Sequence, residues 1–390
     1  MPTALFYLYH ASTTPMRPAP VAAVTAELGR AGNPSSTHAA GRAARRIVEE
    51  AREAVAAAYA VDPVEVLFTA GGTEADNLGV LGGYRARATA DPRRTRIVTT
   101  AIEHHAVLDA VRALAEHDGA EVVILAVGPG GVVDPDDLLR ILAADADRTA
   151  LVAVMWANNE TGAVQPIPQL AEIAREHGVP LHTDAVQAAA QLHIDLSVVD
   201  TAALTAHKLG GPVGIGALIA RRDAALAPVG YGGGQERGLR SGTLDAAAAA
   251  GFAAAVAEMR QGYAVESSRV ADLRDRLVAG VQRAVPEAVL TAAGSPRLPN
   301  IANIRFPGAG SDEVLLLLDA AGICAAAGSA CTAGVSRPSH VLQAMAVDPE
   351  GAIRFSLGHT STAADVDAAV AAIGPAVDRG RAARLAGAAR

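Results

Sequence analysis

Up to about residue 220, short apolar runs rich in β-branched residues alternate with longer stretches whose apolar positions recur every three or four. The short runs read as strands: "EVLFTA" (65–70), "RIVTTA" (96–101), "EVVILAV" (121–127), "ALVAVMW" (150–156), "VPLHTD" (179–184), "TAALTA" (201–206) and "GIGALIA" (214–220). The longer stretches read as helices over 36–59, 73–89, 105–118, 135–144 and 168–177. This alternation predicts a mostly parallel seven-stranded α/β sheet between helices, with ligands at the carboxyl ends of the strands.

The pattern changes after about residue 245. A long helical stretch leads into a strand (301–306), a helix (312–321), a loop of small residues, a helix (338–345), a strand (352–357) and a last helix (363–379). That is a smaller α+β domain. The final dozen residues, rich in Ala and Arg, read as frayed. A length of 390 residues fits two domains. We place the large one at 13–255 and build the small one from 1–12 and 256–390.

Composition narrows the function. A chain 51% hydrophobic and 19% charged is ordered and globular. A net charge of −8 argues against direct nucleic-acid binding through a broad basic face. Arg42, Arg45 and Arg46 share a helical pattern with Glu49 and Glu50, which predicts a solvated, ion-paired face. Two cysteines make no disulfide framework, and no metal-ligand spacing is present. No run approaches the ~18–20 apolar residues needed to span a bilayer. The N-terminus lacks a basic, then apolar, export signal, so the expected location is cytoplasmic, without membrane association.

The chemistry gathers at predicted strand ends. Gly71-Gly72-Thr73 is either a phosphate cradle or a glycine turn with an N-cap. His104 in "EHHAVL" is a helix-start residue or a catalytic one. Asn158, Asn159 and Glu160 form a turn, or need partners if buried. Asp184 is an N-cap or a buried carboxylate awaiting a cation, with Gln187 on the same helical face. Lys208, beside His207 and before Gly210-Gly211, is a snorkelling charge or a desolvated amine nucleophile. A phosphate cradle, an aspartate, a lysine and a histidine at strand ends are together the parts needed for pyridoxal 5'-phosphate.

Nine motifs occur in the order found in cysteine desulfurases: "GNPSSTHAAGRAARRIVEEAR", "FTAGGTEADN", "EHHAVL", "NNETG", "HTDAVQ", "AHK", "GGGQERGLRSGT", "GSACTAG" and "IRFSLG". The chain, from about Tyr7 to about residue 375, resembles this family of class V, fold-type I pyridoxal-phosphate enzymes. It looks most like the group I, NifS/IscS branch and its actinobacterial members. The resemblance implies conversion of L-cysteine to L-alanine, with sulfur passing to an enzyme persulfide for iron–sulfur cluster assembly or tRNA thiolation. It implies a homodimer and sulfur-acceptor proteins as partners. A selenocysteine lyase, an aminotransferase or a desulfurase serving DNA phosphorothioation are the alternatives.

Carried over motif by motif, Lys208 is the Schiff-base lysine, and His104 stacks on the cofactor ring and shuttles protons. Asp184 pairs with the ring nitrogen and Gln187 with the ring hydroxyl. Gly72, Thr73, Thr205 and His207 bind the phosphate, and Thr243 reaches that of the neighbouring subunit. Asn159 and Arg354 hold the substrate carboxylate. Cys331, in the loop of about 324–340, is the thiolate nucleophile. The glycines and small residues around it predict a mobile, exposed segment near 328–337. Cys324 reads as a core residue. Tyr9, Val213, Ala327 and His359 depart from the family pattern.

Overall fold

The computed structural model describes residues 5–328 and 338–388. Twelve strands occur among them in chain order: β1 (Phe6–Tyr7), β2 (Val66–Thr69), β3 (Arg96–Thr100), β4 (Glu121–Leu125), β5 (Thr149–Ala153), β6 (Leu181–Asp184), β7 (Thr201–Thr205), β8 (Gly216–Ala220), β9 (Val289–Leu290), β10 (Ile301–Arg305), β11 (Ile323–Cys324) and β12 (Ala352–Ser356).

β2 to β8 form one seven-stranded sheet in the order β2-β8-β7-β6-β5-β3-β4. β8 runs antiparallel to both neighbours, and the remaining pairings are parallel. Helices cover both faces, so every residue of β2, β3 and β5 to β8 is buried. The edge strand β4 is only half covered, which leaves Ile124 exposed. The flanking helices follow local rules. In Ala39–Ala58, Val48, Ala51 and Val55 recur every three or four positions and turn inward, while Arg46 and Glu50 pair in solvent. Pro135 begins Pro135–Asp145, where Asp134 accepts from the Asp136 N–H as cap.

The helix expected over 73–89 is not continuous. It runs as Gly72–Asn77, then a π-turn over Leu78–Gly82, then Gly83–Ala90. At the π-turn, a Cβ on Gly79 would lie 2.3 Å from Nδ1 of His182, so only glycine lets the backbone pass this buried imidazole.

A second hydrophobic core lies between the antiparallel sheet β12-β10-β9 and its helices. β1 pairs in parallel with β11 beside it. The helix Ala246–Ala284 serves both cores: Phe252 and Met259 pack into the first, Leu277 and Val281 into the second. The last helix, Ala363–Ala388, extends past the expected frayed point, because Arg381 and Arg384 tie its final turns to Glu287 and Glu350. Cys324 sits in β11 and is only partly buried, so the expected core position is corrected to the margin of the small core. Among the described residues no helix is long and apolar enough to cross a membrane.

A buried ion pair fixes the segment that leads to Thr243. Arg52 donates to both carboxylate oxygens of Glu236, at 2.9 and 2.7 Å, and stacks 5.1 Å from the Phe68 ring. Glu236 also accepts from the Phe68 N–H. The Arg52→Ala exchange strands this carboxylate, and a loss of about 3–5 kcal/mol is expected in urea unfolding.

Candidate active site

A cavity of about 250 Å³ opens beyond the carboxyl ends of the parallel strands. Ten of the residues singled out above line it: Gly72, Thr73, His104, Asn159, Asp184, Gln187, Thr205, His207, Lys208 and Arg354. Thr243 does not. It lines a separate depression of about 60 Å³ beside Arg240. Cys331 lies outside the described residues, as does almost all of the segment expected to be mobile.

The sheet topology explains the assembly. Asp184 and Thr205 are the last residues of neighbouring β6 and β7. The short turn Ala206–Lys208 carries His207 and Lys208 onward. Thr73 lies in the first turn of the helix after β2, and His104 caps the helix His105–His117 after β3. Arg354 arrives from β12 of the other sheet.

The hydrogen bonds decide the open alternatives. His104 is both cap and cavity residue, with Nδ1 accepting from the Ala106 N–H at 3.1 Å. Asn158 is a turn former: Oδ1 accepts from the N–H groups of Glu160 and Thr161, and Nδ2 donates to the Ile102 carbonyl. Glu160 accepts from the Ser339 hydroxyl at 2.6 Å. Lys208 does not snorkel outward. Its Nζ donates to the carbonyls of Ala11, at 2.6 Å, and Ser12. Gln187 donates to the same Ala11 carbonyl at 2.8 Å. Arg354 is 2% exposed, donates to the Asn159 carbonyl at 2.9 Å and lies 5.6 Å from the Tyr9 ring. Tyr9, in place of the family's usual acid, thus faces the guanidinium with an aromatic ring. Of the other departures, Val213 is exposed and the His359 ring packs edge-on to His10.

Burial governs the electrostatics. Desolvation raises the Asp184 carboxyl, opposed by His104, the Val186 N–H and Lys208. A cationic ring nitrogen facing Asp184 would hold it ionised. Burial, then Lys208, pushes His207 down to about 4, so it is a neutral imidazole at pH 7. Its Nδ1 lies 3.2 Å from the Thr13 hydroxyl, and in the tautomer whose Nδ1 accepts there, Nε2 carries a proton that can be donated to an anion. An amine, a carboxylate, two threonine hydroxyls and a neutral imidazole fit pyridoxal phosphate. No group of side chains suited to a metal ion occurs among the described residues.

The sequence reading missed Asp76, three residues after Thr73 on the same helical face, which also lines the cavity. That spacing was the available signal. The Ala11 and Ser12 carbonyls carry no side-chain signal at all. It also left Glu103 without a role. Glu103 is fully buried, and Oε1 accepts from the Thr100 hydroxyl at 2.7 Å and the Met155 N–H at 3.0 Å. Burial pushes its carboxyl up to about 8 despite these bonds. The folded state therefore holds the proton more tightly than the unfolded chain, so this contribution is complete below about 4.5 and is lost as pH rises to about 8. Glu103→Gln should become more stable relative to wild type across that window, by on the order of 1 kcal/mol per pH unit, when urea unfolding is compared at pH 5 and 8.

The model of the class-V aminotransferases matches residues 6–369, and the chain belongs to that family of pyridoxal-phosphate enzymes. Within the family it is similar to the IscS-like cysteine desulfurase of Mycobacterium tuberculosis, at 50% identity over 388 residues, covering 98% of both chains. A solved NifS-like protein is 32% identical with a TM-score of 0.87, covering 96% of this chain and 100% of the other. SspA, solved in complex with cysteine, is 29% identical with a TM-score of 0.78, covering 91% of this chain and 99% of the other.

Proposed function

We propose that the protein is an L-cysteine desulfurase that converts L-cysteine to L-alanine and keeps the sulfur as a persulfide on Cys331. The observation that carries this reading is the meeting of Lys208 and Arg354, from different sheets, in one cavity. Bound pyridoxal phosphate supplies the electron sink that weakens bonds at the substrate Cα and Cβ. Thr73, Thr205 and His207 hold its phosphate, Asp184 its ring nitrogen and Gln187 its ring hydroxyl. Arg354 grips the substrate carboxylate, held in register by its bond to the Asn159 carbonyl. His104 and Lys208 move protons.

In the sulfur step the Cys331 thiolate forms an S–S bond to the substrate sulfur. The substrate C–S bond breaks, a proton enters at Cβ, and the products are alanine and Cys331–S–SH. Substrate and thiol supply all the hydrogens, so no external oxidant or reductant is needed. The sulfur then passes to an acceptor of iron–sulfur assembly or tRNA thiolation in the cytoplasm. The enzyme works as a homodimer in which Thr243 serves the neighbouring subunit's phosphate.

The test is incubation of the holoenzyme with L-cysteine and a thiol reductant. Equal amounts of alanine and sulfide are expected. Formation of pyruvate instead, or transfer of the amino group to an added 2-oxo acid, would overturn the reading.

A further inference from the structure

A second cavity, of about 310 Å³, opens toward the amino ends of β6 and β7. Its lining includes Thr201, the first residue of β7, with Arg87, Asp200, Arg221 and Asp223 nearby. Thr201 pairs in register with His182 of β6, and its hydroxyl lies 2.9 Å from His182 Nδ1. The other imidazole nitrogen, Nε2, lies 3.2 Å from Oδ1 of Asp76. Asp76 in turn lines the active-site cavity. Three side chains thus connect the two cavities in an unbroken line, at 4%, 0% and 1% exposure.

Asp76 stands in the helix between Ala75 and Leu78, members of an apolar cluster with Leu67, Ala203 and Leu218, so the polar line is set against an apolar face. The chain makes local concessions to keep the imidazole. The π-turn over Leu78–Gly82 interrupts the covering helix beside it, and the backbone at Gly79 clears the ring only because it has no Cβ.

We propose that Thr201, His182 and Asp76 form a proton path through the sheet, between the second cavity and the cofactor side of the first. When Asp76 has released a proton, His182 passes its Nε2 proton to the carboxylate. The Thr201 hydroxyl proton moves to Nδ1, and water in the second cavity restores the hydroxyl. Each member gains one proton and loses one. The reverse stroke returns the imidazole to its first tautomer without a ring flip. Desulfuration takes the proton from Cα and must return one there before alanine leaves, so it suits one stroke out and one in.

The charges around the path fit this use. Burial, then Asp184 and Glu103, raise the Asp76 carboxyl, and burial alone pushes His182 down to about 3. Burial thus favours the protonated form of Asp76 and the neutral form of the imidazole beside it. His104 and Lys208 act on the neighbouring Asp184. The other end is set by Arg221 with Asp200 and Asp223.

The inference rests on pyridoxal phosphate occupying the first cavity, not on which amino acid is turned over. The test is accordingly made without substrate. The reconstituted protein is subjected to a pH jump, and the absorbance of bound pyridoxal phosphate is followed by stopped flow. Thr201→Val keeps the shape and removes the hydroxyl, and its relaxation should be about ten-fold slower, less than the 10²–10⁴-fold attributed to a directly acting acid or base. Thr201→Ser should restore the wild-type rate. Equal rates in wild type and Thr201→Val overturn the proposal. So does a Thr201→Ser protein as slow as Thr201→Val, which would make packing the cause. An absorbance that ignores the jump in every form also overturns it, because no proton then reaches the cofactor. None of these outcomes bears on whether L-cysteine yields alanine.

Discussion

Cys331→Ala should leave a yellow, cofactor-loaded protein that still binds L-cysteine but forms no sulfide, with turnover down by at least ~10³-fold. In the proposed scheme the Cys331 thiolate accepts the sulfur, and the other cysteine is poorly suited to replace it. Cys324, the other cysteine, lies in β11 with its thiol raised by burial and then by Asp319, which makes it a poor nucleophile at pH 7. The Cys324→Ala protein should keep near wild-type turnover. Sulfide release and mass spectrometry of the persulfidated peptide check both variants. A Cys331→Ala enzyme at full rate would remove the persulfide from the scheme.

Lys208→Ala should fail at an earlier stage. Its Nζ is held by the Ala11 and Ser12 carbonyls at the wall of the cavity, and under the proposed function it is the amine that meets the cofactor aldehyde. Without it the cofactor binds only through its phosphate and ring contacts. Borohydride treatment of wild type should leave pyridoxyl mass on the peptide containing Lys208, and none on the variant. Alanine formation should fall by at least ~10³-fold. Covalent labelling of another lysine with retained activity would refute the assignment.

The two experiments probe parts of the molecule that were unequally legible in the sequence. The seven main strands were readable because six are runs buried on both faces and the half-covered edge strand β4 keeps an apolar run, and the observed bounds differ from the expected ones by three residues at most. β1, β9 and β11 escaped because two residues carry no period. The π-turn escaped because it answers to His182, a tertiary neighbour some hundred residues away. The placement of the site was readable where a side chain lies at or just past a strand end, as with Asp184 and Lys208. It was not readable where backbone atoms act, as at Ala11, or where two side chains define each other, as with Asp76 and His182. Motif resemblance supplied roles, and hydrogen bonds decided between a turn former such as Asn158 and a cavity residue such as Asn159.

The helix Ala246–Ala284 has a consequence for how the substrate is measured. It is one rod of 39 residues, about 58 Å at 1.5 Å per residue, rooted in both cores. Lys208 belongs to the sheet packed at one end and Arg354 to the sheet packed at the other. Lys208 and Arg354 therefore stand like the jaws of a caliper on different cores that one rod joins. Under the proposed function, repacking Val270 or Leu277, which lie outside the cavity, is expected to shift the spacing between the groups that meet the two ends of an amino acid.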